Sequence, residues 1–365
     1  MTQKVVILGA GIVGAAIAYE LSLRPEFKVA ILDTQQPTQG STGAALGVLM
    51  GIISRKTKGR AWQLRRRSME RFPVLLDELA VAGAPVPHNS HGILKLFDET
   101  TDLTKLERLQ QKRHDAGWQL ELWDQAKTET QCPQISSNIC AGAVYSPQDF
   151  QVQPIPLARS LLEVATKNGL YSHFDIAPPT LEFAQQKCVA VNSGDRRWTC
   201  DWLIIAAGLG SLEITKPLLD DFQMKSVLGQ AFHVKLPDGK QPDFAPVVSY
   251  NDIHVVPLGN NEFWVGATVE FPDEKGHLEA DKALMEKVWQ GAIAFYPALK
   301  HAEILRHWSG KRPRPEGQGA PVLQPLKNYQ NILLATGHYR NGVLLAPATA
   351  LKIRDWLLAP ETIPF

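Results

Sequence analysis

A glycine turn near the start of the chain constrains the fold more than any other feature. Residues 5–8 form a continuous apolar run, and residues 9–14 carry the pattern Gly-x-Gly-x-x-Gly. Apolar residues then recur at helical spacing over 12–23, and a second apolar run ends at Asp33. A buried strand, a glycine turn, a helix and a second strand in this order are typical of a dinucleotide-binding βαβ unit. The sequence therefore predicts an α/β fold with a Rossmann-like domain.

The same turn predicts a ligand. Glycines permit the tight turn, the close approach of the backbone to a pyrophosphate and the near packing of helix on strand. The helix N-terminus offers backbone N–H groups to the phosphates. Asp33, nineteen residues beyond Gly14, can accept a hydrogen bond from a ribose hydroxyl. A glycine turn without a ligand is the alternative, but the complete context favours an adenine dinucleotide. The candidate contacts are Gly9, Gly11, Ile12, Val13, Gly14 and Asp33.

The segment after the second predicted strand indicates which dinucleotide is bound. Nicotinamide enzymes of this type normally continue into a third strand and helix, whereas residues 40–51, GSTGAALGVLMG, are mostly small. Small residues let backbone amides approach a phosphate or a flat ring closely. A mobile surface loop is the alternative, but the large apolar side chains in the segment fit that poorly. The segment therefore favours a flavin, with Ser41 and Thr42 as donors to the pyrophosphate and residues 47–51 along the ring. The candidate contacts are Ser41, Thr42, Ala45, Gly47, Val48 and Leu49.

Later apolar runs divide the chain into two kinds of segment. The runs around Ile204 and Leu333 end in small residues, at Gly208 and Gly337, and are predicted strands of the first sheet. Other segments alternate apolar and polar residues and predict antiparallel strands. We therefore expect a mainly antiparallel substrate domain inserted twice into the flavin domain, giving α+β character overall. The predicted antiparallel strands begin at Gly92, Ala231, Asp252 and Glu262, and the predicted helices cover 102–116 and 281–294. The predicted flavin domain comprises 1–84, 146–220 and 304–365, and the predicted substrate domain comprises 85–145 and 221–303.

Composition narrows the class of protein. Lysine and arginine total 38 and aspartate and glutamate total 37, so no net field attracts nucleic acid. The longest small, apolar run, 43–53, is shorter than the ~20 residues of a membrane span. The four cysteines match neither a zinc pattern nor a disulfide framework, so we expect free thiols, no metal site and a cytoplasmic location. The basic run 65–67, with Arg60 and Arg71, is expected on the solvated face of a helix.

Four stretches together resemble one known family. VILGAGIVGAAIAYELS, STGAALGVLMG, VVPLGNNEFWVGAT and GHYRNGVLLAPAT resemble the glycine oxidase members of the D-amino acid oxidase family of FAD-dependent oxidoreductases, including the type that serves thiamin biosynthesis. The resemblance covers nearly the whole chain in order and spacing. It implies noncovalent FAD, a substrate domain over the flavin, hydride transfer from an amine carbon to flavin N5 and reoxidation by O2 to H2O2. The imine product then hydrolyses to an oxo acid and ammonia or an amine.

The C-terminal motif, GHYRNGVLLAPAT at 337–349, carries the substrate-binding expectation. If a strand precedes Gly337 and a helix starts at Pro347, the turn stands at the carboxyl edge of the sheet. Arg340 offers a planar fork of donors that can hold a carboxylate, and the resemblance implies that it binds the substrate carboxylate. Pairing of Arg340 with a structural acid is the alternative. Backbone amides of the motif are expected to face flavin N1 and the C2 carbonyl. The candidate cofactor contacts here and at the preceding strand end are Gly208, Gly337, Asn341, Gly342, Val343 and Leu344.

Two further candidates follow from the resemblance. Arg312, in HWSGKRPRPEG, matches the second arginine of the family site, with Lys311 and Arg314 as weaker candidates. This stretch contains no cysteine, which favours a noncovalent flavin. His254 stands where glycine oxidases have an active-site tyrosine. A histidine there could bind a carboxylate or orient an amine and would add a pH dependence near neutrality; simple packing of the ring, with Tyr250 supplying the phenol, is the alternative.

The predicted activity is therefore FAD-dependent oxidation of glycine, sarcosine, a D-amino acid or another small amine by O2. A dehydrogenase that passes electrons to a quinone or carrier remains an alternative, as does a non-catalytic flavoprotein. A homo-oligomer is possible.

Overall fold

The computed structural model describes residues 2–237 and 242–363. Its helices are α1 (Ile12–Ser22), α2 (Gly59–Val81), α3 (Leu103–Asp115), α4 (Gln125–Gln131), α5 (Pro154–Lys167), α6 (Ser211–Thr215), α7 (Lys282–Phe295) and α8 (Gly342–Leu358). Its strands are β1 (Gln3–Leu8), β2 (Phe27–Leu32), β3 (Val48–Leu49), β4 (His88–Asn89), β5 (Ile93–Phe97), β6 (Glu121–Asp124), β7 (Gly142–Ser146), β8 (Phe150–Val152), β9 (Tyr171–His173), β10 (Thr180–Ala184), β11 (Lys187–Ser193), β12 (Arg196–Thr199), β13 (Trp202–Ile205), β14 (Met224–Lys235), β15 (Val247–Tyr250), β16 (Ile253–Gly259), β17 (Glu262–Gly266), β18 (Glu303–Pro315), β19 (Val322–Pro325) and β20 (Ile332–Thr336). Within these described ranges, no helix combines the length and apolar character that a bilayer crossing requires.

The first large sheet has six strands in the order β19-β20-β13-β1-β2-β9. Strand β1 pairs in parallel with β2 and β13, and β13 pairs in parallel with β20, whereas β19 is antiparallel. Helices α1, α5 and α8 cover one face of this sheet, and the small sheet β10-β11-β12 packs on the other. Burial on both faces explains the continuous apolar runs of the central strands. The carboxyl ends of β1, β13 and β20 therefore meet at one edge, where Gly9, Gly208 and Gly337 follow them.

The second large sheet has eight strands in the order β18-β14-β17-β16-β15-β5-β7-β6. Its pairings are antiparallel except for β15 with β5. Helix α7 packs against one face, where Val248, Val255 and Val265 lie. The opposite face carries Val247 and Val256 and packs against the segment that follows β3. We call this second face the roof face, because it lies toward the carboxyl edge of the six-stranded sheet.

Most predicted elements are confirmed, including the strands near Ile204 and Leu333 and the helices α3 and α7. One boundary differs, because β18 pairs with β14 along its whole length, from Glu303 to Pro315. The predicted division at 303/304 therefore cuts off a strand that belongs to the eight-stranded sheet. The chain returns to the six-stranded sheet only at β19. The remaining domain limits stay a prediction.

The basic run on α2 is less exposed than its pattern indicates. Arg71 donates to Glu20 Oε1 at 2.7 Å and to Glu78 Oε2 at 2.6 Å, and its side chain is only 11% exposed. Arg65 is half-buried, whereas Arg66 is exposed and pairs with a residue on its own helix. The expectation of one solvated basic face was therefore wrong for Arg71 and Arg65, because Arg71 pairs with Glu20 of α1 and Arg65 reaches Asn341 at the start of α8.

Candidate active site

The glycines of the first turn have distinct steric surroundings. Gly9 has φ +108°, and a Cβ there would lie 2.6 Å from the Ala206 carbonyl oxygen. A Cβ on Gly14 would overlap the carbonyl oxygen of Gly9. A Cβ on Gly11 would meet only Thr42 Oγ1, at 3.2 Å. Gly9 and Gly14 are thus required by the packing of the turn, whereas the backbone at Gly11 is open to an approaching group.

The N-terminus of α1 faces this opening. Its N-cap residue, Gly11, supplies no side-chain cap, and Ile12 N donates to Thr42 Oγ1 at 2.9 Å. The Thr42 hydroxyl hydrogen remains available to donate to a ligand. Ser41 differs from its expected role, since its hydroxyl donates to the Lys311 carbonyl at 2.7 Å. That bond ties the segment to β18 and takes the Ser41 hydroxyl away from a phosphate. Val13, also expected at this end, is half-buried in the first turn of the helix.

Asp33 lies at the end of β2, as the sequence predicts. Its Oδ2 accepts from Ala10 N at 2.6 Å and its Oδ1 from Gln35 N at 3.0 Å. Burial raises the pKa of the Asp33 carboxyl, although the bond from Ala10 opposes the shift. Each carboxylate oxygen has a further lone pair, so the group can still accept from a ribose hydroxyl.

Residues 40–50 are packed between the two large sheets. A Cβ on Gly47 would overlap the carbonyl oxygen of Val152, and Val48 and Leu49 form a strand with β8. The Trp308 indole donates to the Ala44 carbonyl at 3.1 Å, and Ala45 follows at the end of a short 3-10 turn. The alternative of a mobile surface loop does not match this packing. The segment is a fixed wall between the flavin domain and the roof face.

A buried carboxylate fixes the N–H groups of the next segment. Asp149 is fully buried, and Gly51 N and Ile52 N donate to its Oδ1 at 2.7 and 2.8 Å. Ile53 N donates to its Oδ2 at 2.7 Å. Burial raises the Asp149 pKa to about 6 despite these bonds.

A buried guanidinium fixes the carbonyl groups of the same segment. Arg113, 1% exposed, donates to Ile52 O at 2.6 Å, to Ser54 O at 2.7 Å and to Lys56 O at 2.9 Å. Its guanidinium lies 3.7 Å from the centroid of the Trp62 ring. We call Arg113 and Asp149 the segment anchor. Sequence reasoning missed both, because neither stands in a motif and both act on backbone far away in sequence.

The C-terminal motif begins at the end of β20. Gly337 adopts φ +65°, residues 339–341 form a 3-10 turn, and α8 starts at Gly342. The helix therefore begins five residues before the predicted start at Pro347. The N–H groups of Gly342, Val343 and Leu344 consequently form a helix N-terminus, which favours negative charge. Asn341, the N-cap residue, provides no side-chain cap.

His338 holds this turn against α8. Its Nε2 lies 2.9 Å from Thr349 Oγ1, and the ring is buried. Burial lowers the His338 pKa to about 3, so the ring is neutral at physiological pH. Arg65 reaches the same turn, with Nη2 at 3.4 Å from Asn341 Oδ1.

Arg340 stands at the rim of the site. Its Nη1 lies 3.3 Å from Asp252 Oδ2, and the two side chains are 35% and 73% exposed. Burial opposes ionisation of Asp252, but the bond and the charge of Arg340 outweigh it and lower the Asp252 pKa. Arg340 therefore does pair with an acid, which was the alternative to substrate binding. The acid is exposed, however, and the pair uses only one nitrogen of the guanidinium. The other Arg340 donors have no hydrogen-bond partner among residues 2–237 and 242–363.

Arg312 lies deeper, on β18. Its Nη1 donates to the carbonyls of Leu228 and Thr268, both at 3.0 Å. The guanidinium lies directly on Gly229, where a Cβ would overlap it. Burial, and then the charge of Arg340, lower the Arg312 pKa. Arg314, a weaker candidate, instead lies 5.2 Å from the Phe271 ring centroid.

His254 is on β16, beside Ser249 of β15 and Gly266 of β17. Its Nδ1 is buried without a hydrogen-bond partner among the described residues. Burial, and then the charge of Arg340, lower the His254 pKa to about 4. The structure therefore favours a neutral ring over the expected titration near neutrality, because a second positive charge beside Arg340 is unfavourable.

Tyr250 does not supply a phenol to this site. Its hydroxyl lies 3.4 Å from Asp98 Oδ2, and its ring packs at 6.1 Å against Phe295 of α7. Side chains alternate between the faces of a strand, so Tyr250 lies on the face opposite to Ser249.

Lys95 was missed by the sequence analysis. It pairs in register with Ser249, which pairs with His254, so the three residues share the roof face. Burial, and then the charge of Arg55, lower the Lys95 pKa. A single lysine in an alternating strand looks like a solvent-facing residue, and only the strand register shows its neighbours.

These features fit an extended FAD. Two helix N-termini whose own N-cap residues supply no side-chain cap, those of α1 and α8, flank one sheet edge, and the backbone at Gly11 leaves room for a pyrophosphate. The wall formed by residues 40–50 and the roof face bound the space beyond.

Sequence comparisons agree with this fit. Residues 4–356 match the family described as DAO: FAD dependent oxidoreductase. Glycine oxidase of Geobacillus kaustophilus (strain HTA426) is 26% identical, over 99% of this chain and 95% of that protein. Bifunctional protein ThiO/ThiG of Trichormus variabilis (strain ATCC 29413 / PCC 7937) is 29% identical, over 100% of this chain and 54% of that protein. The chain thus spans nearly all of the first relative and about half of the second.

Solved structures show the same fold. Glycine oxidase from Geobacillus kaustophilus has a TM-score of 0.85 at 25% identity, with 99% of both chains covered. Glycine oxidase from Bacillus cereus ATCC 14579 has a TM-score of 0.86 at 22% identity, with 98% of this chain and 96% of that chain covered. Since the family match extends over nearly the entire sequence, and the turn and helix ends that hold a dinucleotide are in place, this chain belongs to the DAO family of FAD-dependent oxidoreductases.

Proposed function

We propose that the protein oxidises glycine or another small amino acid or secondary amine. The observation that carries this proposal is the position of Arg312 and Arg340 beside the neutral His254. The charges of Arg340 and Arg312 lower the His254 pKa, and the charge of Arg340 also lowers the Arg312 pKa. Both guanidinium groups have further N–H donors that no described residue accepts. The relatives named glycine oxidase support the same substrate class.

Bound FAD would accept a hydride from the substrate α-carbon and pass the electrons to O2, giving H2O2. The protein supplies position and charge. Arg340 and Arg312 clamp the substrate carboxylate, which fixes the α-carbon relative to the wall at residues 47–51. His254 is neutral, so it does not repel the substrate ammonium. The imine then hydrolyses to an oxo acid and ammonia or an amine.

The cofactor contacts remain proposals and form three groups. The phosphate end comprises Gly9, Gly11, Ile12, Val13, Gly14, Thr42 and, through its backbone, Ser41, with Asp33 on the ribose. The wall comprises Ala45, Gly47, Val48 and Leu49. The C-terminal end comprises Gly208, Gly337, Asn341, Gly342, Val343 and Leu344, whose helix N-terminus would stabilise negative charge on the flavin.

The biological setting is also part of the proposal. We expect a cytoplasmic enzyme that can supply an imine to thiamin biosynthesis, in keeping with the ThiO/ThiG relatives. A homo-oligomer is compatible with this role.

Anaerobic reduction tests the proposed function. The purified protein should be yellow, glycine or sarcosine should bleach it without O2, and air should restore the colour with release of H2O2. Arg340→Ala should raise the KM for these substrates about 100-fold, because a charged hydrogen-bond pair is lost, while FAD content stays the same. Loss of FAD without a change in KM would assign Arg340 a structural role. Bleaching with dye reduction but without peroxide would identify a dehydrogenase instead.

A further inference from the structure

The proposed substrate site carries more positive charge than one carboxylate needs. Arg312 and Arg340 already suffice for a single carboxylate, yet Lys95 and Arg55 lie on the same side of the roof face. Among the residues that the structure describes, two acids act on these cations, Asp252 and Glu270. Asp252 is exposed and occupies one nitrogen of Arg340, and the buried Glu270 is bound by the uncharged groups of Gln230, Thr268 and the Asp281 backbone. Four cations therefore face two acids, which leaves a net charge of about +2.

The four cations are spread along the roof face, with Arg340 interacting with both Lys95 and Arg312. The charged groups that influence Lys95 are Arg55, Asp252 and Arg340. Those that influence Arg312 are Arg340, Tyr339 and Glu270. Arg340 is common to both, and His254 is influenced by Arg340, Lys95 and Arg312. In the sheet order, β5 and β18 lie on opposite sides of β16, so Lys95 and Arg312 lie at opposite ends of the site with His254 between them.

The strand register gives the separation along the roof face. Lys95 and His254 lie on β5 and β16, with Ser249 of β15 between them. Adjacent strands are about 4.8 Å apart, so the two Cα atoms are separated by roughly 10 Å. A long lysine side chain spans such a gap, and no hydrogen bond or ion pair joins Lys95 Nζ to another residue in the described parts of the chain. Its ammonium group is thus free for a ligand.

Arg55 is held in place by the segment anchor. The carbonyls on either side of it, Ser54 O and Lys56 O, both accept from Arg113 Nη2, at 2.7 and 2.9 Å. The backbone at Arg55 is therefore fixed, although its side chain is exposed and makes no hydrogen bond or ion pair within residues 2–237 and 242–363. A fixed backbone with a free guanidinium suits recognition of an anionic group.

We propose that the preferred substrate is an amine with two acidic groups, and that Lys95 and Arg55 bind the second one. This inference rests on the proposed amine oxidation and names its substrate class. Arg312 and Arg340 hold the carboxylate next to the oxidised carbon. The second carboxylate, carried either on the amine nitrogen or on the side chain, extends past Arg340 to Lys95. Its negative charge balances the excess that a simple amino acid leaves uncompensated.

Two matched substrate pairs test the proposal with the FAD-loaded enzyme. Sarcosine and iminodiacetate differ only in a carboxylate on the N-substituent, and D-alanine and D-aspartate differ only in a carboxylate on the side chain. Anaerobic flavin reduction gives a rate and an apparent Kd for each compound. In at least one pair, the diacid should show a kcat/KM about tenfold or more above that of the monoacid. The pair that shows the preference identifies the position of the second acid.

Lys95→Gln removes the charge at similar size, and Lys95→Arg retains it. The diacid-to-monoacid ratio of kcat/KM should fall about tenfold in Lys95→Gln and recover in large part in Lys95→Arg. Arg55→Gln should lower the same ratio by a smaller factor, because its side chain is exposed. Lys112→Gln, at an exposed position on α3, is the matched control and should leave the ratio at its wild-type value.

The outcomes separate this inference from the proposed function. If glycine and sarcosine bleach the flavin but both diacids react no better, or the ratio is unchanged in Lys95→Gln, amine oxidation stands and the diacid proposal fails. If none of the amines bleaches the flavin, the proposed function itself fails.

Discussion

The phosphate end of the site and its roof are built in different ways. At the phosphate end, backbone sterics decide, because Gly9 and Gly14 have no room for a Cβ. At the roof, charged side chains such as Lys95 and Arg312 line one sheet face from strands that are distant in sequence. The first kind of site depends on one short segment, and the second depends on strand register. Changes at the phosphate end should therefore cost cofactor and stability, whereas changes at the roof should alter substrate selection.

Gly14→Ala should have the largest effect. The new methyl group would overlap the carbonyl oxygen of Gly9, and backbone cannot move aside as a flexible side chain can. We expect a loss of about 3 kcal/mol in the free energy of unfolding and little retained FAD. Urea unfolding and the flavin absorbance of the purified protein measure both. Gly40→Ala is the control, since nothing lies within 4 Å of a Cβ there; equal stability of the two variants would contradict the steric role of Gly14.

Asp149→Asn tests whether the segment anchor affects only stability, as changes at the phosphate end should, or also substrate selection, as changes at the roof should. The amide would keep an acceptor for Gly51 N and Ile52 N, but its NH2 group would face Ile53 N, another donor. We expect a loss of about 2 kcal/mol in the free energy of unfolding, together with a weaker preference for diacids, because a shift of residues 51–53 would also displace Arg55 two residues later. Thermal unfolding and the diacid-to-monoacid ratio report the two effects. Asp77→Asn, at an exposed position of α2, should change neither; an unchanged ratio in a destabilised Asp149→Asn protein would limit the anchor to a structural role.

The phosphate end was largely predictable because its determinants are local. The glycine spacing, the strand before it and Asp33 after it all lie within 33 residues, and the structure places them together. Ser41 was predicted less well, since its hydroxyl bonds to Lys311 in a distant strand. The segment anchor shows the same limit, because no local pattern reveals which buried charge meets which backbone.

Gly229→Ala should disturb the roof without removing a charge. The methyl group would occupy the place where the Arg312 guanidinium lies, and would displace it from the carbonyls of Leu228 and Thr268. We expect kcat/KM for amino acid substrates to fall about 10- to 100-fold, because small displacements of a carboxylate clamp are costly. FAD content should be retained. Steady-state peroxide assays measure the change, and Gly210→Ala, where the nearest atom to a Cβ is 3.7 Å away, is the control; a full loss of flavin in Gly229→Ala would place this residue with the phosphate end.

Asp252→Asn should have a smaller effect of opposite sign. Removal of this exposed acid frees Arg340 Nη1 and makes the site more positive, so the KM for amino acids should fall about two- to threefold. Added salt should reduce the difference from wild type, since the acid is exposed. Asp252→Glu, which keeps the charge, should behave like wild type in the same assay. A rise in KM of tenfold or more would mean instead that Asp252 positions Arg340 for its substrate.

The roof was predicted only where a motif marks it. Arg340 and Arg312 stand in recognisable stretches, but Lys95 became a candidate only through the register of three strands. The start of α8 was predicted too late because proline usually occupies the first turn of a helix. Here Pro347 lies inside the helix, and the Ser68 hydroxyl accepts from Ala348 N at 3.2 Å. The N-terminus of α8 therefore lies at Gly342, five residues closer to the predicted flavin.

The smallest expected effect concerns the pH dependence of activity. It shows whether His254 at the roof changes its protonation state during turnover. The His254 pKa of about 4 lies below the ordinary value, because the ring is desolvated and Arg340 repels a second positive charge, while Lys95 adds to the repulsion and Asp252 opposes it. The ring is then neutral throughout pH 6–9, and His254→Gln should leave the shape of the kcat/KM profile unchanged over that range even if its height falls.

The unfolded chain binds a proton at His254 near pH 6.5, which the folded protein resists until about pH 4. This contribution to stability is therefore lost as the pH falls from about 6.5 to 4, and acid unfolding of His254→Gln should shift to lower pH than that of the wild type. An inflection near pH 6.5 that is present in the wild type and absent from His254→Gln would show instead that the histidine titrates during turnover.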